Sequence, residues 1–275
     1  MNHKVKNIGK LSGKTLILGG VYSNYQSLEE FIQIAKNLGI SPQNIICTGD
    51  IVGYCASPSE CLDVIEDWGI HAIQGNVEQN IVNGSDDCGC NFSENSRCDI
   101  FAKQWFPYSV MKMTPRNITY LENLPERIVF EYAGKKVHVL HGSDDNISEF
   151  IFKSTDWEIK QRNFDQTQAD VIIGGHCGLP FADERNGKIW LNAGVIGMPA
   201  NDGTPRVWYL ILDDAEGEFS YQFCSYEYDA GEANQQMHEN GLPFSYSETL
   251  LTGLWDNNDI LPEEETAQQG VEIVF

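Results

Sequence analysis

Short runs of apolar β-formers that end in glycine alternate, near the start of the chain, with longer stretches whose apolar residues recur every three or four positions. Lys14 to Gly20 reads as a strand, Ser27 and Glu30 form a capping box, and Leu28, Phe31, Ile32, Ala35 and Leu38 follow at helical spacing until Gly39. A second apolar run starts at Ile45 and ends in Thr48-Gly49, which puts Asp50 just past the carboxyl end of a buried strand. Ser57-Pro58-Ser59-Glu60 then opens a helix to about Trp68, Gly69 stops it, and His71 to Gln74 make a third strand. Strand, helix, strand, helix, strand at this spacing predicts right-handed crossovers and a parallel sheet.

The pattern then loosens. Val77 to Leu124 reads as helical in pieces, Arg127 to Leu140 as a hairpin around Ala133-Gly134-Lys135, and Phe150 to Asn163 as a polar helix. From Asp170 strands dominate: Val171 to Ile173, Ile189 to Asn192, Arg206 to Asp213 and Phe219 to Tyr226 predict a second sheet packed on the first. Asp229 to Phe275 predicts one or two helices and, at Glu263-Glu264-Glu265, a solvated tail. The expected organisation is an N-terminal segment (1–13), a main domain (14–228), and a C-terminal helical extension with an acidic tail (229–275).

Composition narrows the partners. A hydrophobic fraction of 41% over 275 residues is that of a soluble globule with an ample core. A formal net charge of −22, with no cluster of Lys or Arg, argues against nucleic acid and against anionic membrane surfaces. The first 14 residues hold no apolar secretory core and no run reaches membrane-spanning length, so a cytoplasmic location is expected. In that compartment the eight cysteines read as reduced thiols or metal ligands before disulfides.

Four residues with metal-binding chemistry follow strands beside glycines: Gly49-Asp50, Gly75-Asn76, His141-Gly142 and Gly175-His176. In this order, with Gly49-Asp50-Ile51-Val52-Gly53, Gly75-Asn76-Val77-Glu78, Val139-Leu140-His141-Gly142 and Leu191-Asn192-Ala193-Gly194-Val195-Ile196-Gly197, the chain resembles the calcineurin-like metallophosphoesterases, most nearly their small bacterial branch, over about Lys14 to Asp213. The resemblance implies an α/β fold, a four-layer αββα sandwich of two mixed sheets flanked by helices, with metals at the carboxyl ends of the strands. It also exposes departures. The family's first motif, Asp-x-His, is replaced by Gly20-Val21-Tyr22, Gly178 stands in place of the last histidine, and Val77 in place of the leaving-group acid. The three ligand positions lost all belong to one of the family's two metals, whereas Asp50, Asn76, His141 and His176 complete the other. The resemblance therefore implies a one-metal remnant.

An O,O,N,N set of this kind suits one divalent Mn, Zn or Fe. Asp50, His141, His176 and Glu78 are the candidate catalytic residues, with Glu78 either a general acid or base or simply negative charge at a helix N-terminus. The expected function is hydrolysis of a small phosphomonoester or phosphodiester, with a small phosphorylated molecule as partner. A catalytically inactive binding or regulatory module on the same fold is the alternative. Cys88, Cys90 and Cys98, with Cys55 as a fourth, leave open a structural metal or a redox protein, and Cys177 beside His176 reads first as a small buried hydrophobe, with a metal within reach. Tyr22 reads as packing over the site, hydrogen-bonding there, or ligating as a phenolate. Arg206 reads as structural with a phosphate within reach, and His3, His71, His138 and His238 as surface or structural.

Overall fold

The structure is a computed structural model that describes residues 4–90 and 92–275, so the reading of His3 lies outside the described residues. Strands β1 (Val5–Leu11) and β2 (Thr15–Leu18) lead into α1 (Tyr25–Asn37), β3 (Ile45–Cys47), α2 (Pro58–Trp68) and β4 (His71–Ala72). Three helices follow, α3 (Asn76–Val82), α4 (Arg97–Lys112) and α5 (Pro115–Asn123), and then the hairpin β5 (Arg127–Tyr132) and β6 (Lys135–Val139). Helix α6 (Trp157–Thr167) precedes β7 (Val171–Gly174), β8 (Pro180–Arg185), β9 (Lys188–Ala193), β10 (Val207–Asp213) and β11 (Ser220–Tyr226). Helices α7 (Ala230–Glu239), α8 (Phe244–Thr252) and α9 (Glu263–Thr266) complete the chain.

Two mixed sheets result, one in the order β1-β5-β6-β7-β9-β8 and the other β11-β10-β2-β3-β4. The layering is visible along β2. Leu16 and Leu18 pack into the helix layer with Leu28, Phe31 and Ile65, while Ile17 between them, beside Leu210 of its own sheet, faces Val137, Val171 and Ile173 of the other. Beyond that second sheet, Ile172 and Trp190 pack on Phe164 of α6. Strands buried on both faces cannot alternate with polar residues, which is why β2, β3 and β7 are almost wholly apolar and fully buried. The arrangement is the expected αββα sandwich, and β2, β3 and β4 are parallel as their helical crossovers require.

Several local expectations need correction. Helix α1 begins at Tyr25, capped by the Asn24 side chain, which accepts the Ser27 N–H; Ser27 spends its own hydroxyl on the Ile196 carbonyl. Residues 150–156 are not helical, and α6 starts only after Asp156. The late strands do not build a sheet of their own: β10 pairs antiparallel with β2, so that Leu210 lies opposite Ile17, and β11 extends that edge. Val5–Leu11, inside the expected N-terminal segment, pairs with β5 as an edge strand. In the acidic tail Glu263 and Glu264 are exposed as expected, but Glu265 is half-buried, its carboxylate accepting the N–H and hydroxyl of Ser154, and Phe275 stacks on Phe223 at 3.9 Å. Among the described residues no helix is long and apolar enough to cross a membrane.

Ile17 is fully buried at the centre of the inter-sheet core. Ile17→Ala is expected to lower unfolding stability by about 2–5 kcal/mol, measured by urea denaturation, since two packed sheets cannot collapse into the void.

Candidate metal centre

Two loops meet beyond the carboxyl ends of β3 and β4, and their contact is set by two glycines. Gly49 has φ of +94°, and a Cβ there would lie 2.6 Å from the Gly75 nitrogen; a Cβ at Gly75 would lie 2.0 Å from Asp50 Oδ1. No larger residue lets the two turns approach this closely. Asp50 (φ 54°) and His176 (φ 59°) both hold left-handed backbone conformations, strain of a kind that gathers at functional sites when the surroundings enforce it. Glu78 provides part of that enforcement. Fully buried in the first turn of α3, it accepts the N–H groups of Asp50 (2.9 Å), Val52 (3.0 Å) and Gly75 (2.7 Å). Burial, then the charge of Asp50, pushes its carboxyl up to about 7.

On this frame Asp50, Asn76, His141 and His176 converge. His141 follows β6, and its Nδ1 lies 2.7 Å from the Thr48 carbonyl oxygen. A carbonyl only accepts, so Nδ1 carries the proton and the neutral ring turns a bare Nε2 inward. That nitrogen stands 3.0 Å from Asn76 Oδ1, 3.2 Å from Asp50 Oδ2 and 3.2 Å from His176 Nδ1. Asn76 is oriented in the same sense, since its amide donates to the Cys88 carbonyl (2.9 Å) and the Cys90 sulfur (3.2 Å), leaving its oxygen toward the cluster. The His176 ring is fixed by stacking on Phe150 at 4.1 Å.

Four lone-pair donors thus face one another with a proton fixed on the far side of His141. Such a set repels itself unless a cation sits among it, and the donor chemistry fits a borderline divalent ion at about 2.0–2.2 Å from each atom. Without one, a proton takes that role. Burial works against charging His141, but the charge and hydrogen bond of Asp50 and the Thr48 carbonyl outweigh it and raise its pKa. His176 goes the other way: burial, then the charge of His141, lowers it to about 3, so the ring is neutral and offers Nδ1 as a lone pair in the tautomer that carries its proton on Nε2. Among the described residues, Asp50, His141 and His176 are the one cluster of His, Cys, Asp or Glu with metal-holding geometry.

The other candidate residues are placed elsewhere. Both oxygens of Glu78 are committed to backbone N–H groups, which corrects its reading as a general acid or base and gives it the role of fixing the Asp50 turn. Cys88 and Cys90 are bonded to each other, Cys98 lies against Asn257 and Cys55 against the Gly197 carbonyl, so these four form no metal site. That pairing departs from the reading of the cysteines as reduced thiols or metal ligands before disulfides; the other six are free. Burial pushes the Cys177 thiol up to about 12, its sulfur accepts from the Asn192 amide, and it lies outside the Asp50, His141 and His176 cluster. Arg206 is held by Asp202 at 2.9 Å and by the Ile273 carbonyl. His138 is buried in the fold and His238 bonds Ser247, while His71 is half-buried.

A cavity of about 60 Å³ opens over Asp50 and His176, walled by Tyr22, Tyr54, Phe150 and Trp255. That is room for roughly four waters or one tetrahedral oxyanion. Among the described residues neither Lys nor Arg lines it. The sequence did not reveal this roof: Tyr246 and Trp255 arrive from α8 and the loop beyond it, where no motif marks them.

The sandwich and its strand-end cluster define a metallophosphoesterase-type protein. The calcineurin-like phosphoesterase superfamily domain matches residues 15–216, and the chain belongs to that family, whose members typically bind divalent metals. An uncharacterized protein of Methanocaldococcus jannaschii is 28% identical over 254 residues, which cover 86% of this chain and 97% of that protein. Among solved structures, a metallophosphoesterase from Sphaerobacter thermophilus has the same fold, with a TM-score of 0.70 at 24% identity over 89% of this chain and 100% of its own. A hypothetical protein from Pyrococcus horikoshii gives a TM-score of 0.72 at 18% identity over 88% and 99% of the two chains.

Proton and ion compete for the same His141 nitrogen. Because the pKa of that ring is raised, its protonated form persists further up in pH, and ion affinity is expected to rise with pH through that raised value and then level off. Titration of the stripped protein with Mn or Zn between pH 5 and 8 (roughly the histidine range) measures this. Glu78→Gln is expected to weaken the ion about 10–100-fold by loosening the Asp50 turn, with elemental analysis and competition against a chelator as the readout.

Proposed function

We propose that the protein hydrolyses a small phosphoester at a one-ion site held by Asp50, Asn76, His141 and His176. The observation that carries this reading is the convergence of four buried lone-pair donors with the His141 tautomer fixed by Thr48. A divalent transition ion bound there would supply positive charge to a phosphoryl oxygen and acidify a water toward a pKa of ~7.

The chain's own residues supply the rest. The Thr48 carbonyl keeps the His141 proton on Nδ1, and Glu78 holds the Asp50 turn in its strained conformation. Tyr54, Phe150 and Trp255 wall the cavity with aromatic surface, whose low polarity strengthens charge interactions beside it. With no Lys or Arg among the described residues that line it, the cavity offers little to a dianionic monoester and favours the single charge of a diester. Val77, fully buried where the family resemblance puts a leaving-group histidine, has no proton to give. The favoured substrate is therefore a phosphodiester whose leaving group departs as a stable anion, such as an aryl oxide.

Bis(4-nitrophenyl) phosphate, 4-nitrophenyl phosphate and a dialkyl phosphate, each tested with Mn, Zn, Fe(II) and Mg, probe this directly. The aryl diester is expected to turn over fastest and the dialkyl ester about 10²–10⁴-fold more slowly, the ordinary worth of general-acid catalysis. Activity is expected to vanish in His176→Ala together with the ion. No turnover of any ester by the ion-loaded protein would make it a binding module on this fold.

A further inference from the structure

We infer that the Tyr22 side chain stands in the place of the family's second cation and presents its phenolic O–H to a phosphoryl oxygen of the substrate; the inference rests on the phosphoester reading above. Gly20, Tyr22 and Gly178 are the positions at which the family resemblance puts that ion's own ligands. None of them fits a second ion here, since both glycines lack a donor side chain and the space between them is taken. A Cβ at Gly20 would lie 2.4 Å from Tyr22 Cε1 and 2.8 Å from Cζ, so the ring and any side chain at position 20 exclude each other. At the far end, a Cβ at Gly178 would lie 3.9 Å from the phenolic oxygen and 3.7 Å from the Trp255 ring. The ring runs from one glycine toward the other. The three departures are thus a single packing arrangement, in which two glycines make room for one tyrosine.

The ring is held where it is. Tyr22 takes a left-handed backbone conformation (φ 53°), its N–H donates to the Asp50 carbonyl at 3.1 Å, and its own carbonyl accepts the Cys55 N–H at 3.0 Å. Tyr54 lies against the ring at 4.5 Å and is itself stacked on Trp105 at 4.8 Å. The residue is buried, at 6% exposure, and lines the cavity, with no described residue hydrogen-bonded to its hydroxyl. Tyr22, Gly178, Asp50 and His176 line the same cavity. A buried phenol ordinarily finds a partner, and a phosphoryl oxygen in this cavity is one that it is placed to meet.

The test uses the full chain loaded with Mn and inorganic phosphate as the probe, with calorimetry and elemental analysis as readouts. Tyr22→Phe is expected to retain its ion and melting temperature while binding phosphate roughly 10- to 100-fold more weakly, the worth of a hydrogen bond to a charged group. Gly20→Asp/Tyr22→His/Gly178→His, which removes the ring and supplies donors, is expected to take up a second ion; Gly20→Asp alone, with the ring in place, is not. Phosphate binding unchanged in Tyr22→Phe, or two ions in the wild-type cavity, would overturn the inference. If the triple variant does not fold, the phosphate affinity of Tyr22→Phe decides alone. Weakened phosphate binding in a protein that cleaves no ester would remove the hydrolase reading and keep this one; unweakened binding in an active protein would do the reverse.

Discussion

Glu78 is the group on which the geometry of the centre rests, although it is aimed away from the cavity. Its carboxylate gathers three backbone N–H groups from two loops, and through them fixes the Gly49-Asp50 turn against the start of α3. A buried carboxylate is costly unless compensated, and charge-assisted bonds of this kind are about twice as strong as neutral ones. The compensation is specific to one arrangement of the turns, so what stabilises the carboxylate also enforces the left-handed backbone at Asp50. With Asp50 fixed, its carbonyl receives the N–H groups of Val21 and Tyr22, and the loop after β2 is set in turn. The cavity wall, the candidate ligands and the strain at Asp50 thereby share one source.

Much of the frame was legible in the sequence because it follows from local rules. Apolar runs ending in glycine gave β2 and β3, Pro58 and Gly69 marked the ends of α2, and the turn at Ala133-Gly134 announced the β5–β6 hairpin. The order of Asp50, Asn76, His141 and His176 was readable because each stands beside a glycine at a strand end. What escaped was pairing between distant segments. β10 is apolar at nearly every position, so alternation could not say which neighbour or which sheet it would join. Residues 5–11 are largely exposed and carry lysines, a composition that suits an edge strand but does not distinguish it from a loop.

The side-chain roles escaped for a related reason. An acid in the first turn of a helix reads as charge facing the helix dipole, and only the meeting of two loops shows that Glu78 reaches back to Asp50 and Val52. Likewise, Asn24 outcompetes Ser27 as the cap of α1 because Ser27 is drawn to a carbonyl from the far end of the domain. The Cys88–Cys90 bond lay beyond a compartment argument, and its loop has a use that spacing could not suggest, since it accepts the amide of Asn76 and turns that oxygen inward.

The position of β10 constrains how the chain can be made and cut. β2 and β3 appear early, but the other edge of β2 is completed only by residues 209–212, and Leu210 from that strand fills the inter-sheet core beside Ile17. Until that strand has been synthesised, the emerging amino-terminal half presents a short, almost wholly apolar strand with an open hydrogen-bonding edge. Contacts of such high sequence separation form slowly, because the loop must close before any pairing rewards it. A fragment ending before Val207 therefore inherits an adhesive edge and an unfilled core. The natural boundary of the folding unit lies well past the last of the four candidate ligands, at a point set by the sheet and not by the chemistry.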